Sequence, residues 1–177
     1  MAMSGWSVAV LAAASALWLA SGVERERPVL SPEASDAIAH LEANVAAHPE
    51  SAPALRDLSQ AYLEVRAPGL AISLIQHAPA SVRSDPWVDH AYARALLDQG
   101  RAEEALTVER RVLDRCASDP AVGATPCDTW LIASATRRTD ILQQLVHLGV
   151  EDAQAHPEAS LIAYQNATRE ARLAVVE

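Results

Sequence analysis

The chain has no lysine and no phenylalanine. Aromatic residues make up 4% of it while half of it is apolar, so alanine and leucine carry the hydrophobic content, which favours helices over strands. All 14 basic residues are arginine, as expected of a bacterial chain from a G+C-rich genome, and 23 acidic residues leave a net charge of −9. A nucleic-acid partner requires a basic footprint, so nucleic acid is excluded as a partner. There are two cysteines, too few for a zinc array, and the six histidines form no metal-binding pair on one helix. No phosphate-cradling glycine loop, no G-x-S-x-G elbow and no carboxylate pair poised for acid–base work is present. No catalytic residue, cofactor, metal or small-molecule substrate is therefore assigned, and the chain is expected not to be an enzyme. At 177 residues it is one domain long, with enough chain for a core.

The one long uncharged run is Trp6 to Val23, 18 residues that as a helix would reach about 27 Å, close to a bilayer's hydrocarbon core of about 30 Å. Glu24-Arg25-Glu26-Arg27 ends it. Retained, it is a single-span membrane anchor. Cut after Ala20-Ser21-Gly22, it is a signal peptide. A buried helix is the third reading. The expected location is the bacterial envelope, with the helical part in the periplasm. Residues 24–31 read as a linker.

What organises the remainder is a period of 34. Ser84-Asp85-Pro86 returns as Ser118-Asp119-Pro120, and Ala37-Ile38, Ala71-Ile72 and Ala105-Leu106 follow one another at the same interval. Fixed periods in this range mark stacked units, each needing its neighbour to bury an apolar face. The first unit supplies Leu55, Leu58, Ser59, Tyr62, Ala71 and Ile75. The second supplies Asp89, Tyr92, Ala93, Leu96 and Ala105, with Glu109 where an aromatic residue is usual and Gly100 in the turn. This pattern resembles the tetratricopeptide repeat. The resemblance implies an all-α, antiparallel helical-hairpin solenoid over residues 32–177, with repeats near 52–85 and 86–119 and irregular capping helices.

Local signals place the helices. Ser31-Pro32-Glu33 opens one as N-cap, first-position proline and acidic first turn, with Ile38, Leu41 and Val45 on one face. Ser51 caps the next, about 52–65. Pro68-Gly69 is read as the turn, followed by a helix over 69–78. Further helices are expected over 86–98 and 102–116. The register breaks after Pro120, because Gly123 and Pro126 forbid a helix on schedule. Thr125 is read as the N-cap of a long helix from Pro126 to Leu148, closed by a left-handed Gly149 with Val150 folding back. A last helix runs from Pro157 to about Leu173.

Cys116 and Cys127 flank the register break. Three readings stand: a disulfide across the excursion, two unpaired buried thiols, or a reactive thiolate at Cys127 near a helix N-terminus. In the tetratricopeptide family the first helix of each pair lines a groove. The resemblance thereby implies Arg56, Gln60, Trp87, His90 and Arg94 as the partner-binding residues, the arginines clamping a carboxylate or acidic peptide. The expected function is a scaffold, adaptor or assembly factor that binds a protein or peptide and meets the membrane through residues 6–23. The alternatives are a thiol-redox enzyme using Cys127 and a structural oligomeric subunit of an envelope complex.

Overall fold

The computed structural model describes residues 31–118 and 127–174, with side chains through Thr168. The expected anchor or signal segment over 6–23 and the expected Thr125 cap lie outside the described residues. Among the described residues the fold is all-α, with no strand. The helices are α1 (Pro32–Ala47), α2 (Ala52–Glu64), α3 (Pro68–His77), α4 (Ala80–Arg83), α5 (Pro86–Asp98), α6 (Ala102–Ala117), α7 (Thr129–His147) and α8 (Pro157–Ala174). No described helix is long and apolar enough to cross a membrane.

The helix starts follow from short polar side chains. Ser31 Oγ accepts the amide of Ala34 at 3.2 Å, and Ser51 Oγ that of Ala54 at 3.3 Å. Asp85 Oδ1 accepts from Trp87 and Val88. Each such cap contributes about 1 kcal/mol by satisfying an amide the helix cannot. The long helix is capped by Asp128, whose Oδ1 accepts from Leu131 at 2.7 Å. It therefore begins at Thr129 and not at Pro126, because an ionised carboxylate beside the first-turn amides is a stronger acceptor than a hydroxyl. Arg101 offers α6 no side-chain cap. Glu151, from the loop after α7, fills the role: its carbonyl accepts from Ala102 at 3.3 Å and its carboxylate from Glu103 at 3.5 Å.

Three helices end in the same way. Gly100 and Gly149 take φ of +75° and +68°, and Arg66 takes +56°. In each case the following amide bonds back across the last turn: Ala67 to Tyr62, Arg101 to Leu96 and Val150 to Leu145. The turn between α2 and α3 thus lies at Arg66-Ala67. Pro68, expected in the turn, opens α3 instead, since a proline at the first helical position loses no hydrogen bond. Arg66 and Gly100 stand 34 residues apart, so the period governs backbone conformation as well as packing.

Burial repeats at the same interval. Ala71 and Ala105 are fully buried, as are Ser59 and Ala93, and Ile38, Ile72 and Leu106 all lie in the main core. Alanine and serine at these positions let neighbouring helices approach closely. α2 packs on α1 and α3, α5 on α2, α3 and α6, α6 on α7, and α7 on α8. The result is a helical-repeat-like array whose period is kept through α6 and lost before α7. Cys116, near the end of α6, is joined to Cys127, one residue before the Asp128 cap, with Cα atoms 5.5 Å apart. The disulfide closes the segment in which the period fails, and it leaves no free thiol for a reactive Cys127.

Candidate functional site

The residues that the period aligns on α2 and α5 are brought together, though not as equals. The Arg56 guanidinium lies over the Trp87 ring, 5.2 Å from its centroid. Trp87 also stacks on Trp130, with centroids 5.3 Å apart and planes 13° from parallel. Both indoles occupy the second position of their helix, after the aspartate caps Asp85 and Asp128. Trp130 is 62% exposed, the highest value among the large hydrophobic residues exposed in the structure. The surface therefore runs from α2 through α5 to α7, and at its centre are two indoles and a guanidinium.

His90 lies beneath this surface rather than on it. It is buried, and its ring meets Trp130 edge-on at 6.3 Å. Its Nδ1 stands 3.0 Å from Glu109 Oε2 and its Nε2 3.1 Å from Ser134 Oγ. A carboxylate accepts only, so Nδ1 carries the proton, and in the neutral ring Nε2 accepts the serine hydroxyl. Glu109 is fully buried and also receives Arg138 Nη1 at 2.7 Å, while the same nitrogen donates to the His90 carbonyl at 2.9 Å. Burial pulls Arg138 below the usual arginine pKa, and the Glu109 carboxylate opposes that pull.

Ser134, His90 and Glu109 stand in the order of a nucleophile, a base and an orienting acid. The surroundings assign them another task. Ser134 sits in the second turn of α7, where the amides around it are committed to the helix and not free to hold an oxyanion. Glu109 is shared with Arg138, which competes for the lone pairs that would orient the imidazole. The group is a polar junction tying α5 and α6 to α7.

Arg94 and Gln60 occupy the same side further along. Arg94 reaches Asp98 at 4.0 Å, and Gln60 donates to Glu64 at 3.0 Å. Burial raises the Asp98 carboxyl above its ordinary pKa, with Arg94 and Arg138 acting against the rise. Arg56 pairs with Asp57 at 3.3 Å. Every arginine of this surface thus has a carboxylate neighbour, and the positive island expected around Arg56 and Arg94 is neutralised locally. What remains available is apolar and aromatic area.

Arg56 and Trp87 are named as groove residues from the sequence, and Trp130, which stacks on Trp87, is not. The signal was present as Asp-x-Trp at the starts of both α5 and α7, but it recurs at 43 residues and not at 34. Among the described residues, no group of three His, Cys, Asp or Glu side chains is placed to hold a metal ion. No family model, no curated protein and no solved structure matches this chain.

Proposed function

We propose that this chain is a protein-binding scaffold, an adaptor or assembly factor built as a tetratricopeptide-like helical-hairpin solenoid and held at or exported across a membrane by residues 6–23. The observation that supports the binding role is the exposed Trp130 stacked on Trp87 with Arg56 over the same ring. An indole left 62% exposed contributes little to folding for its size, so its place at the surface favours contact with another molecule. Tryptophan and arginine dominate binding hot spots because a rigid ring offers large contact area at little entropic cost. With the arginines paired, the partner is met first through an apolar or aromatic side chain laid on the indole pair, and charge refines the register.

The test is site-specific photocrosslinking in the native host. A photoreactive residue at position 133, exposed one turn on from Trp130, is expected to trap a discrete partner, and one at position 107, on the exposed side of α6, is not. Trp130→Ala should weaken a partner so identified by roughly ten- to a hundredfold, the range of a single hot-spot residue, with helicity unchanged. Equal trapping at both positions, or undiminished binding by Trp130→Ala, removes this surface from consideration.

A further inference from the structure

A second charged site lies on the other side of α5. A helix advances about 100° per residue, so Asp89 and Tyr92 point roughly 200° away from Trp87 and His90 respectively. There they border a cavity of about 420 Å³ between α3, α4 and α6, lined also by Gln76, Arg83, Arg111 and Arg115. At its base is the buried Asp89 carboxylate. Arg111 grips it with Nε at 3.0 Å and Nη2 at 2.7 Å, and Arg115 adds Nη1 at 2.6 Å. The same Arg115 nitrogen donates to the Ser84 carbonyl at 2.8 Å.

This arrangement holds two guanidinium groups rigidly without using them up. Each carries five N–H donors, and two on each are committed, so three on each remain without a partner among the described residues. Arg83 makes no ion pair among the described residues. Tyr92 accepts from Gln76 at 3.0 Å and keeps its own proton to donate. Three arginines against one carboxylate leave a local surplus of positive charge in a chain whose net charge is −9. In the groove, by contrast, each arginine has its own acid.

We infer that this cavity binds a small dianion, a phosphomonoester or a dicarboxylate, held by Arg83 and by the outward N–H groups that Asp89 fixes on Arg111 and Arg115. Guanidinium forks match the paired oxygens of either group. Asp89 is the positioning residue: it sets where the donors point before the ligand arrives, which lowers the ordering cost of binding. The site is independent of the groove, so the two readings fail separately.

Calorimetric titration of the full chain with inorganic phosphate, succinate and acetate at low ionic strength tests the inference. Saturable one-site binding of phosphate or succinate is expected, with acetate much weaker, and the preferred dianion identifies the ligand class. Arg83→Ala, which breaks no ion pair among the described residues, should weaken binding about tenfold or more, and Arg111→Ala should weaken it further. Arg137→Ala, remote on α7, and Trp130→Ala should leave it unchanged. No saturable binding by either dianion at 10 mM (about the weakest affinity a clamp of this kind would show) overturns the proposal. So does acetate binding as tightly as the dianions, or an equal loss in Arg137→Ala.

Discussion

Replacing Glu109 by alanine removes the one carboxylate that both His90 and Arg138 depend on. The Glu109 side chain is 0% exposed and that of Arg138 20%. Without Glu109, Arg138 keeps its burial and loses its nearest counter-charge. Breaking a buried pair from one side typically costs about 3–5 kcal/mol, because the surviving charge is left uncompensated. The total stability of a domain this size is roughly 5–15 kcal/mol. With a urea m-value of about 2 kcal/mol/M, the midpoint should fall by roughly 1.5–2.5 M. Circular dichroism at 222 nm follows the transition, and tryptophan emission should report it too, since His90 adjoins Trp130. The second arm removes the three ionisable groups together: His90→Leu, Glu109→Ile and Arg138→Met. Apolar replacement of a whole buried ionic group is often neutral or stabilising, so the triple variant should be at least as stable as the parent. A loss below about 1 kcal/mol in Glu109→Ala, where about 3–5 is expected, would refute the reasoning. So would a triple variant less stable than that single variant.

Other substitutions probe the repeat itself. Ala105→Leu should cost about 1–3 kcal/mol by overfilling a fully buried position, and an unchanged melting curve would contradict the register. Arg66→Gly should stabilise by about 0.5–1 kcal/mol, the left-handed penalty of about 1–2 kcal/mol less the entropic cost of glycine; destabilisation would show that the arginine side chain matters more than its φ of +56°. Burial, then the hydrogen bond and charge of Glu42, pushes the Tyr62 hydroxyl up to about 12. The folded chain thus holds this proton more tightly than the unfolded one. The stability it contributes is complete below about pH 10 and is lost as pH rises towards 12. Tyr62→Phe should therefore melt lower than the parent at pH 8, and the two melting curves should converge above pH 10. An alkaline decline that runs parallel in both proteins would exclude Tyr62 as its source.

The helices were legible wherever a single residue decides the local backbone. Ser31, Ser51 and Asp85 sit before prolines or apolar runs, and each caps the helix expected of it. The turn at Arg66 was not legible by composition, since an arginine in the left-handed region carries no glycine signature. The period pairs it with Gly100, but Pro68-Gly69 carries the stronger local turn signal and is read as the turn instead. The polar junction could not be read in advance. His90 lies 19 residues from Glu109 and 48 from Arg138, and sequence alone placed Glu109 only as a mismatch at an aromatic position. A buried acid looks like an exposed one until its partners are located, and Arg138 sits beyond the point where the period fails.

That failure explains why the second unit carries charge where the first does not. Leu55 and Ile75 share an apolar cluster with Val82 and Val88. One period later their counterparts are Asp89 and Glu109, both buried. A buried carboxylate costs several kcal/mol unless it is paired, so each acid dictates a partner at a defined place. Asp89 selects Arg111 and Arg115, one helical turn apart on α6, and fixes α5 against α6. Glu109 selects Arg138 and fixes α6 against α7. Apolar faces tolerate sliding by a turn at small cost, whereas an ion pair closed at 2.7 Å does not. Up to α6 the repeated small residues hold the register, joined between α5 and α6 by the Asp89 ion pairs. α7 begins nine residues late and inherits no such guide, so the covalent link from Cys116 to Cys127 and the buried link from Glu109 to Arg138 set its position. Those two links in turn bring Trp130 onto Trp87, which makes the indole surface a consequence of the disulfide and of the charge introduced at one apolar position of the repeat.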